Sequence, residues 1–509
     1  MVDQVVERRP EGGWDGFDGW LAAQSALLGP GRVRLPDEPR GNIGMFASRR
    51  VRAVLRPTGV DQVQQIVVAA TRADPPVPLY PVSTGRNWGL GSREPVGDGA
   101  VLLELADLDR IRHLDPSAGV AVIEPGVTQA RLAARLDGTP RMLNLTSSSA
   151  HTSVLGNALD RGVGVRRQRC DDLLGLEVVL ADGSLMRLGS WPDSRGRAVA
   201  YRHELGPALM PLFAQSGLGV ITAAAVHLLP RPETLRVIRL AFPRGRLREA
   251  MDELRTYHAQ RLVTGVPKVY LDTTPGHGEA FCCLDGDADL VTASQAALCR
   301  RALASGLFTW VKQVDPADVD VDRAVTTTLA RHSGDPSLGE DAFEASFGTP
   351  ADRVDRDGEH GFLMFLPLVP FDGAALDHAY ALVRQVQADT GTIWRVTLNA
   401  LSPDLVDFVT WASFPREHAP AAHRALGLLH ERFAEAGWRP YRLDIDHMHL
   451  TGALNGCTRR EQLMDRLKDL LDPAHILSPG RYESAAGNLA TGCYESAARN
   501  SITDITPAG

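Results

Sequence analysis

Residues 81–92 read PVSTGRNWGLGS, a loop set between the apolar runs that end at Val82 and begin at Val101. Few chains need so many small residues in so short a connection. Gly85, Gly89 and Gly91 let successive backbone N–H groups turn toward one point and let a ligand come close. Ser83, Thr84 and Ser92 add hydroxyl donors, Arg86 adds a positive charge, and no carboxylate intervenes. Pro81, Asn87, Trp88 and Leu90 complete a segment suited to cradling the phosphates of a dinucleotide. The glycine spacing is not G-x-G-x-x-G, and no Gly-Lys-Ser/Thr follows, so neither a Rossmann fingerprint nor a P-loop is indicated. The fold must therefore be read from the neighbouring segments.

A chain of 509 residues with 44% hydrophobic residues can bury large cores and suggests two to four domains. Its formal charge of -8 is spread over 54 basic and 62 acidic residues, without the basic stripe that nucleic acid would require. No apolar leader opens the sequence and no long uncharged apolar run follows, so the expectation is a soluble, cytoplasmic protein without a membrane partner. Six cysteines lack C-x-x-C spacing, which predicts neither a disulfide framework nor a zinc site. The expected partner is a small molecule, with a homodimer as an open assembly.

Residues 51–58 alternate as a strand and lead into a helix from Val60 to Thr71, with Val63, Ile66, Val67 and Ala70 on one face. Short strands follow at 101–105, 120–128, 171–189 and 219–230, the third with a hairpin turn at Asp182-Gly183. From about 235 the pattern of strand and helix restarts. Residues 318–358 are charged and apolar-poor, as a surface excursion would be, and 441–452 is read as a strand. The expected division is a first α+β unit over 1–235 with 456–482, a second over 236–455, and a disordered tail over 483–509 in which YESAAGN recurs as YESAARN.

Four segments taken in order, PVSTGRNWGLGS, VAVIEPGVT at 120–128, GNALDRGVG at 156–164 and LLGLEVVLADGSLMRLG at 173–189, resemble the vanillyl-alcohol oxidase/p-cresol methylhydroxylase family of flavoproteins. The similarity continues through GPALMPLFAQSGLGVITAAAVHLLP at 206–230 and HILSPGR at 475–481. The resemblance implies an α+β fold: a two-part FAD-binding domain plus a substrate, or cap, domain with an antiparallel sheet flanked by helices. It implies FAD as cofactor, held by the 81–92 loop together with Glu124, Pro125, Gly126, Val127, Gly156, Asn157, Asp160, Arg161, Gly162, Gly164, Gly219, Val220, Ile221 and Arg481. Members often attach the flavin through a His or Tyr. At the matching places this chain has Trp394 and Val406-Asp407, so the FAD is expected to be non-covalent, with Cys170 or His151 as the alternative attachment.

The resemblance also assigns chemistry. Tyr441-Arg442 is similar to the pair that clamps a phenolate in oxidisers of para-substituted phenols, where a guanidinium and a hydroxyl stabilise an anionic oxygen. The tyrosine that would complete such a clamp is replaced by Leu90. Asp171 lies near the position of an acid that faces the flavin, with Asp172 expected to be solvated or capping. Arg166, Arg167 and Arg169 could welcome a carboxylate or line the surface. His447 or His449 could act as base, since imidazole titrates near neutrality; on a strand they would lie opposite Asp444 and Asp446, so no metal site is expected. The implied function is hydride transfer from a phenol, aryl alcohol or hydroxy or carboxylic acid of secondary metabolism to FAD, reoxidised by oxygen or another acceptor. Oxidative decarboxylation of a carboxylated metabolite and a non-redox flavin-adduct transfer are the alternatives.

Overall fold

The computed structural model describes residues 16–36, 41–314, 323–337 and 347–483. The periodicities of the sequence become, among the described residues, three large sheets with helices packed on them and a two-stranded pair of Arg141–Met142 with Leu229–Pro230. In the first, Val33–Arg34, Ala53–Leu55, Val101–Glu104 and Leu79–Val82 lie in that spatial order, the last three parallel. Parallel strands need a crossover, and the helix Val60–Arg72 supplies it, burying the predicted Val63, Ile66, Val67 and Ala70. The chain returns here at its far end: Leu79 N–H donates to Ile476 O at 2.7 Å and Ser478 N–H to Leu79 O at 2.8 Å. Ile476 and Leu477 join the same apolar core.

The second sheet is antiparallel, in the order Ile111–Asp115, Val120–Ile123, Val220–His227, Leu173–Val179, Leu185–Gly189. Its central strands are buried along their length, which is why they read as continuous apolar runs. The hairpin at Asp182-Gly183 is present, with Gly183 at φ 82°.

The third sheet carries the cap. Trp310–Val314, Thr234–Pro243, His277–Gly286, Lys268–Thr274, Arg395–Ser402, Leu405–Pro415 and His360–Phe365 follow in spatial order, with Leu368–Pro370 pairing beside Leu405–Pro415. The helices Leu247–Ala259, Gly373–Thr390 and Ala419–Glu435 share one large apolar core with it. Strand side chains alternate, so the residues not turned to those helices face the half that carries the first two sheets.

Two expectations need correction. The 318–358 stretch is more than a surface excursion, because it contains the helix Arg323–Ser333, and Arg331 and His332 on that helix line the cavity described below. Residues 441–452 form no strand. They turn through the short 3-10 helix Met448–Leu450 into the helix Thr451–Asn455, because Asp444 accepts from the backbone N–H of Asp446 at 3.0 Å and closes the chain on itself. The repeated tail lies outside the described residues from 484 onward. No described helix is long and apolar enough to cross a membrane.

Candidate active site

A cavity of about 980 Å³ separates the two halves, at the upper end of the range for small-molecule sites. One wall is built from backbone. Ser153 ties three distant segments together: its N–H donates to Thr84 Oγ1 at 3.2 Å, its hydroxyl donates to Pro125 O at 2.6 Å, and it accepts from Gly156 N–H at 2.9 Å. Glycine is required along this wall. A Cβ on Gly156 would lie 2.3 Å from Ser83 Oγ, and one on Gly164 would lie 2.2 Å from Asn144 Oδ1. The wall is thus thin and smooth, with N–H groups and hydroxyls exposed to whatever fills it.

Pro81, Ser83, Thr84, Gly85, Arg86, Asn87, Trp88, Leu90, Ser92, Pro125, Gly156, Asn157, Asp160, Gly162, Gly164, Gly219, Ile221 and Arg481 all line this cavity. Other residues expected at the cofactor do not line the cavity. Gly89 and Gly91 serve a different close approach: a Cβ on the first would meet Met364 Cγ at 2.8 Å, and on the second Ile445 Cγ2 at 2.4 Å. Their loop half splices onto the cap, where Met364 N–H donates to Gly89 O and Ile445 N–H to Leu90 O, both at 3.2 Å. Glu124 is fully buried, and Arg110 and Arg112 take its carboxylate at 2.9 and 2.8 Å. Burial pushes Glu124 up, but those hydrogen bonds and charges hold it below the usual range. Gly126 lets the chain pass Ala106 O, where a Cβ would come within 2.0 Å. Val127 and Val220 belong to apolar cores, and Arg161 turns the chain at φ 55° without reaching the cavity.

The acidic pair is inverted relative to expectation. Asp171 is half-buried, bonded to Arg202 at 2.9 Å, and away from the cavity. Asp172 is the buried one, accepting from Asn144 at 2.8 Å and pairing with Arg167 and Arg169. The short 3-10 helix Arg169–Asp172 turns successive side chains to different sides, and Asp172 falls inward. Arg166 meanwhile pairs with Asp285 of the cap. None of these three arginines lines the cavity.

Tyr441 and Arg442 do line it. Arg442 is also a strut: its Nη2 donates to Asn157 O at 3.3 Å, its Nε to Asp160 O, and its head group lies 3.7 Å from the Asp160 carboxylate. Asp160 is shared with Arg481 at 3.0 Å, which also donates to Tyr80 Oη. Much of the Arg442 charge is therefore spent inside the protein. Burial keeps the Tyr441 hydroxyl protonated, as a donor.

His447 and His449 lie outside the cavity. Because the segment turns, Asp444 faces its own histidines, with His447 Nδ1 at 2.8 Å and His430 Nε2 at 3.2 Å. Burial would raise Asp444, but the two imidazoles hold it well below the carboxylate range. The three side chains offer ligand atoms within 4.8 Å of one another, a convergence that a strand would have forbidden.

The second wall is the cap sheet, built from side chains in cross-strand rows. Register places Phe281, Lys268, Asn399 and Asp407 in one row, Tyr270, Thr397 and Val409 in the next, and Arg395, Trp411 and Met364 in a third. Every one of these lines the cavity. Arg395 is exposed at the mouth whereas Asn399 and Asp407 are buried, so the rows descend from entrance to floor. Lys268, Arg331 and Arg395 make no ion pair among the described residues. His332 beside Arg331 is kept neutral by burial and by the Arg166 charge. Sequence reasoning missed this set, because two-residue alternation marks a face without saying what it faces.

The backbone wall fits FAD. Thr152 Oγ1, Asn157 Oδ1 and Ser216 Oγ line the cavity as buried polar atoms without a partner among the described residues, a state that costs free energy unless an occupant satisfies them. A dinucleotide with phosphates, hydroxyls and ring heteroatoms supplies such partners.

Comparison with known proteins agrees. The FAD binding domain family matches residues 51–189. The chain is 28% identical to 1'-carboxy-chondrochloren decarboxylase of Chondromyces crocatus, over 91% of this chain and 96% of that protein. It is 25% identical to the 4-cresol dehydrogenase [hydroxylating] flavoprotein subunit of Pseudomonas putida, over 92% and 93%. The fold matches a crystal structure of p-cresol methylhydroxylase with substrate bound at a TM-score of 0.82, with 23% identity over 94% of this chain and 99% of that one. These matches show an FAD binding domain and the fold of p-cresol methylhydroxylase, and they support an FAD-dependent oxidoreductase of the vanillyl-alcohol oxidase/p-cresol methylhydroxylase family.

Proposed function

We propose that the protein oxidises an aromatic metabolite bearing a carboxylate, with FAD held non-covalently. The observation that carries this reading is the cationic cap wall: Lys268, Arg331 and Arg395 line one cavity without ion-pair partners among the described residues. Clefts lined by one sign of charge concentrate ligands of the other. Arg395 at the mouth would meet the carboxylate first, and Arg331 and Lys268 would draw it inward. Phe362, Met364, Val409 and Trp411 offer an aromatic ring its apolar surface.

Bound FAD would supply the acceptor for two electrons and a hydrogen. Residues 83–88, Ser153, Gly156, Asn157, Gly162, Gly164 and Ser216 would hold it. Cys170 and His151 do not line the cavity, and Trp394 is buried in the cap core, which supports the non-covalent reading. The Chondromyces crocatus relative, named as a decarboxylase, favours a version in which the substrate's carboxylate leaves as carbon dioxide during the oxidation. The pair Tyr441-Arg442 favours a second reading, a para-substituted phenol without a carboxylate, although Arg442 is already engaged by Asp160.

Anaerobic mixing of the yellow holoenzyme with para-hydroxyphenylpropanoate and with para-ethylphenol separates the two. Bleaching by the carboxylated probe at lower concentration is expected. Bleaching by the neutral phenol alone would overturn the carboxylate reading. Acid precipitation should release the yellow colour to the supernatant, and colour kept in the pellet would overturn non-covalent binding.

A further inference from the structure

The helix Ala419–Glu435 turns an apolar face to the cap core, and His430 stands on that face among Leu426, Leu429 and Phe433. It is 7% exposed, and Phe365 meets its ring edge-on at 4.7 Å, closing the site from behind with apolar surface. His430 Nδ1 is buried without a partner among the described residues, so Asp444 alone holds this ring by a polar contact. Neither residue lines the large cavity.

Asp444 is 1% exposed and is oriented by the Asp446 N–H, which it accepts at 3.0 Å. Two imidazoles converge on its Oδ2, His447 Nδ1 at 2.8 Å and His430 Nε2 at 3.2 Å. The two rings are stacked, with centroids 4.0 Å apart and planes 20° from parallel. All three ligand atoms lie within 4.8 Å of one another. A tetrahedral ion with bonds of about 2.0–2.2 Å sets its ligand atoms about 3.3 Å apart, and half-buried His447 has room to close the difference.

The charges favour a cation over a second proton. Two imidazolium rings at this separation would repel each other. Burial lowers His430 and leaves it a neutral imidazole, the form that ligates metals. Burial would lower His447 too, but the Asp444 charge raises it, and Asp446 and Glu431 add to that negative field. Arg49 already pairs with Asp446, while Asp444 faces only the two imidazoles. Two nitrogens and one carboxylate oxygen form a donor set that suits zinc and its borderline-soft neighbours rather than magnesium or calcium.

We propose that His430 Nε2, Asp444 and His447 Nδ1 bind one divalent transition-metal ion of the zinc class, with water in the fourth position at the half-buried edge of His447. The ion displaces the proton on His447 to solvent and fastens the turn that follows Tyr441-Arg442 to the helix Ala419–Glu435. Its place is structural and apart from the oxidation, because none of the three ligands reaches the cavity.

Holoenzyme dialysed against a chelator and then titrated with Zn2+ is expected to bind one ion per chain at this site and to unfold at a higher temperature, since an ion that binds only the folded state stabilises it. Co2+ in place of Zn2+ should give the visible bands of a tetrahedral, imidazole-bound ion to the red of the flavin absorption. His447→Ala should lose those bands and the thermal gain, and should bind Zn2+ about 100-fold more weakly or worse, because losing a ligand costs more than losing an outer hydrogen-bond partner. His449→Ala, whose exposed ring contacts Asp446 O instead, should behave as wild type. Wild type that binds Zn2+ no better than His447→Ala, or His449→Ala that loses the site in its place, would overturn the proposal. Should His447→Ala fail to fold, X-ray absorption of the zinc-loaded wild type decides: two imidazole nitrogens and a carboxylate oxygen around the ion are expected, and a shell of oxygens alone counts against the site.

Discussion

The two walls of the cavity are made on opposite plans. On the FAD-binding side the surface is backbone, hydroxyls and glycine, and Asp160 there pairs with both Arg481 and the cap's Arg442. On the cap side the surface is side chain, and its cations Lys268, Arg331 and Arg395 are left unpaired among the described residues. The difference follows from what each must recognise. A cofactor of fixed shape is held by close backbone approach, which only small residues permit. A substrate is distinguished by charge and size, which side chains on a rigid sheet can vary without disturbing the fold.

If the backbone wall depends on the network behind it, Asp172→Ala should be the most damaging single change, lowering unfolding stability by about 3–5 kcal/mol because Arg169 is left buried and unpaired. Asp171→Ala, one residue away but in a partly solvated pair with Arg202, should stay within about 0.5 kcal/mol. Urea unfolding of the two variants checks this, and equal losses would refute the inverted assignment. Gly156→Val strikes the wall itself. Its branched side chain would displace Ser83, and flavin affinity should fall on the order of 100-fold, about 2.7 kcal/mol, measured by fluorescence titration of the apoprotein. Unchanged affinity would mean that the cofactor does not run along this wall. On the cap side the effects are smaller. Arg331→Met should weaken binding of para-hydroxyphenylpropanoate about tenfold, and exposed Arg395→Met only about twofold, the latter loss vanishing at high salt. Neither should alter binding of para-ethylphenol, and a parallel loss there would show that these residues shape the cavity rather than select charge.

Legibility tracked the same division. The 81–92 loop, Gly156-Asn157 and Gly162 to Gly164 could be found because a backbone cradle leaves its mark as consecutive small residues. Even there, Gly89 and Gly91 looked like the rest of the cradle while meeting the cap, since a glycine reports a close approach but not the thing approached. The acidic pair failed for a related reason: one residue of offset in a 3-10 turn exchanges a buried network for solvent. His447 and His449 failed because the segment was given a strand's alternation, whereas Asp444 closes a turn.

The sequence by itself carried the family resemblance and the FAD cofactor, through contiguous motifs, and the FAD-binding half and antiparallel cap that the resemblance implies. Only the tertiary structure decided that Lys268, Asn399 and Asp407 share a row, that Arg331 and His332 enter the cavity, and that Arg442 braces Asp160. Residues 268, 331, 399 and 407 are scattered over about a quarter of the chain, and sheet register and helix docking, which are set by long-range packing, are what bring them to one surface.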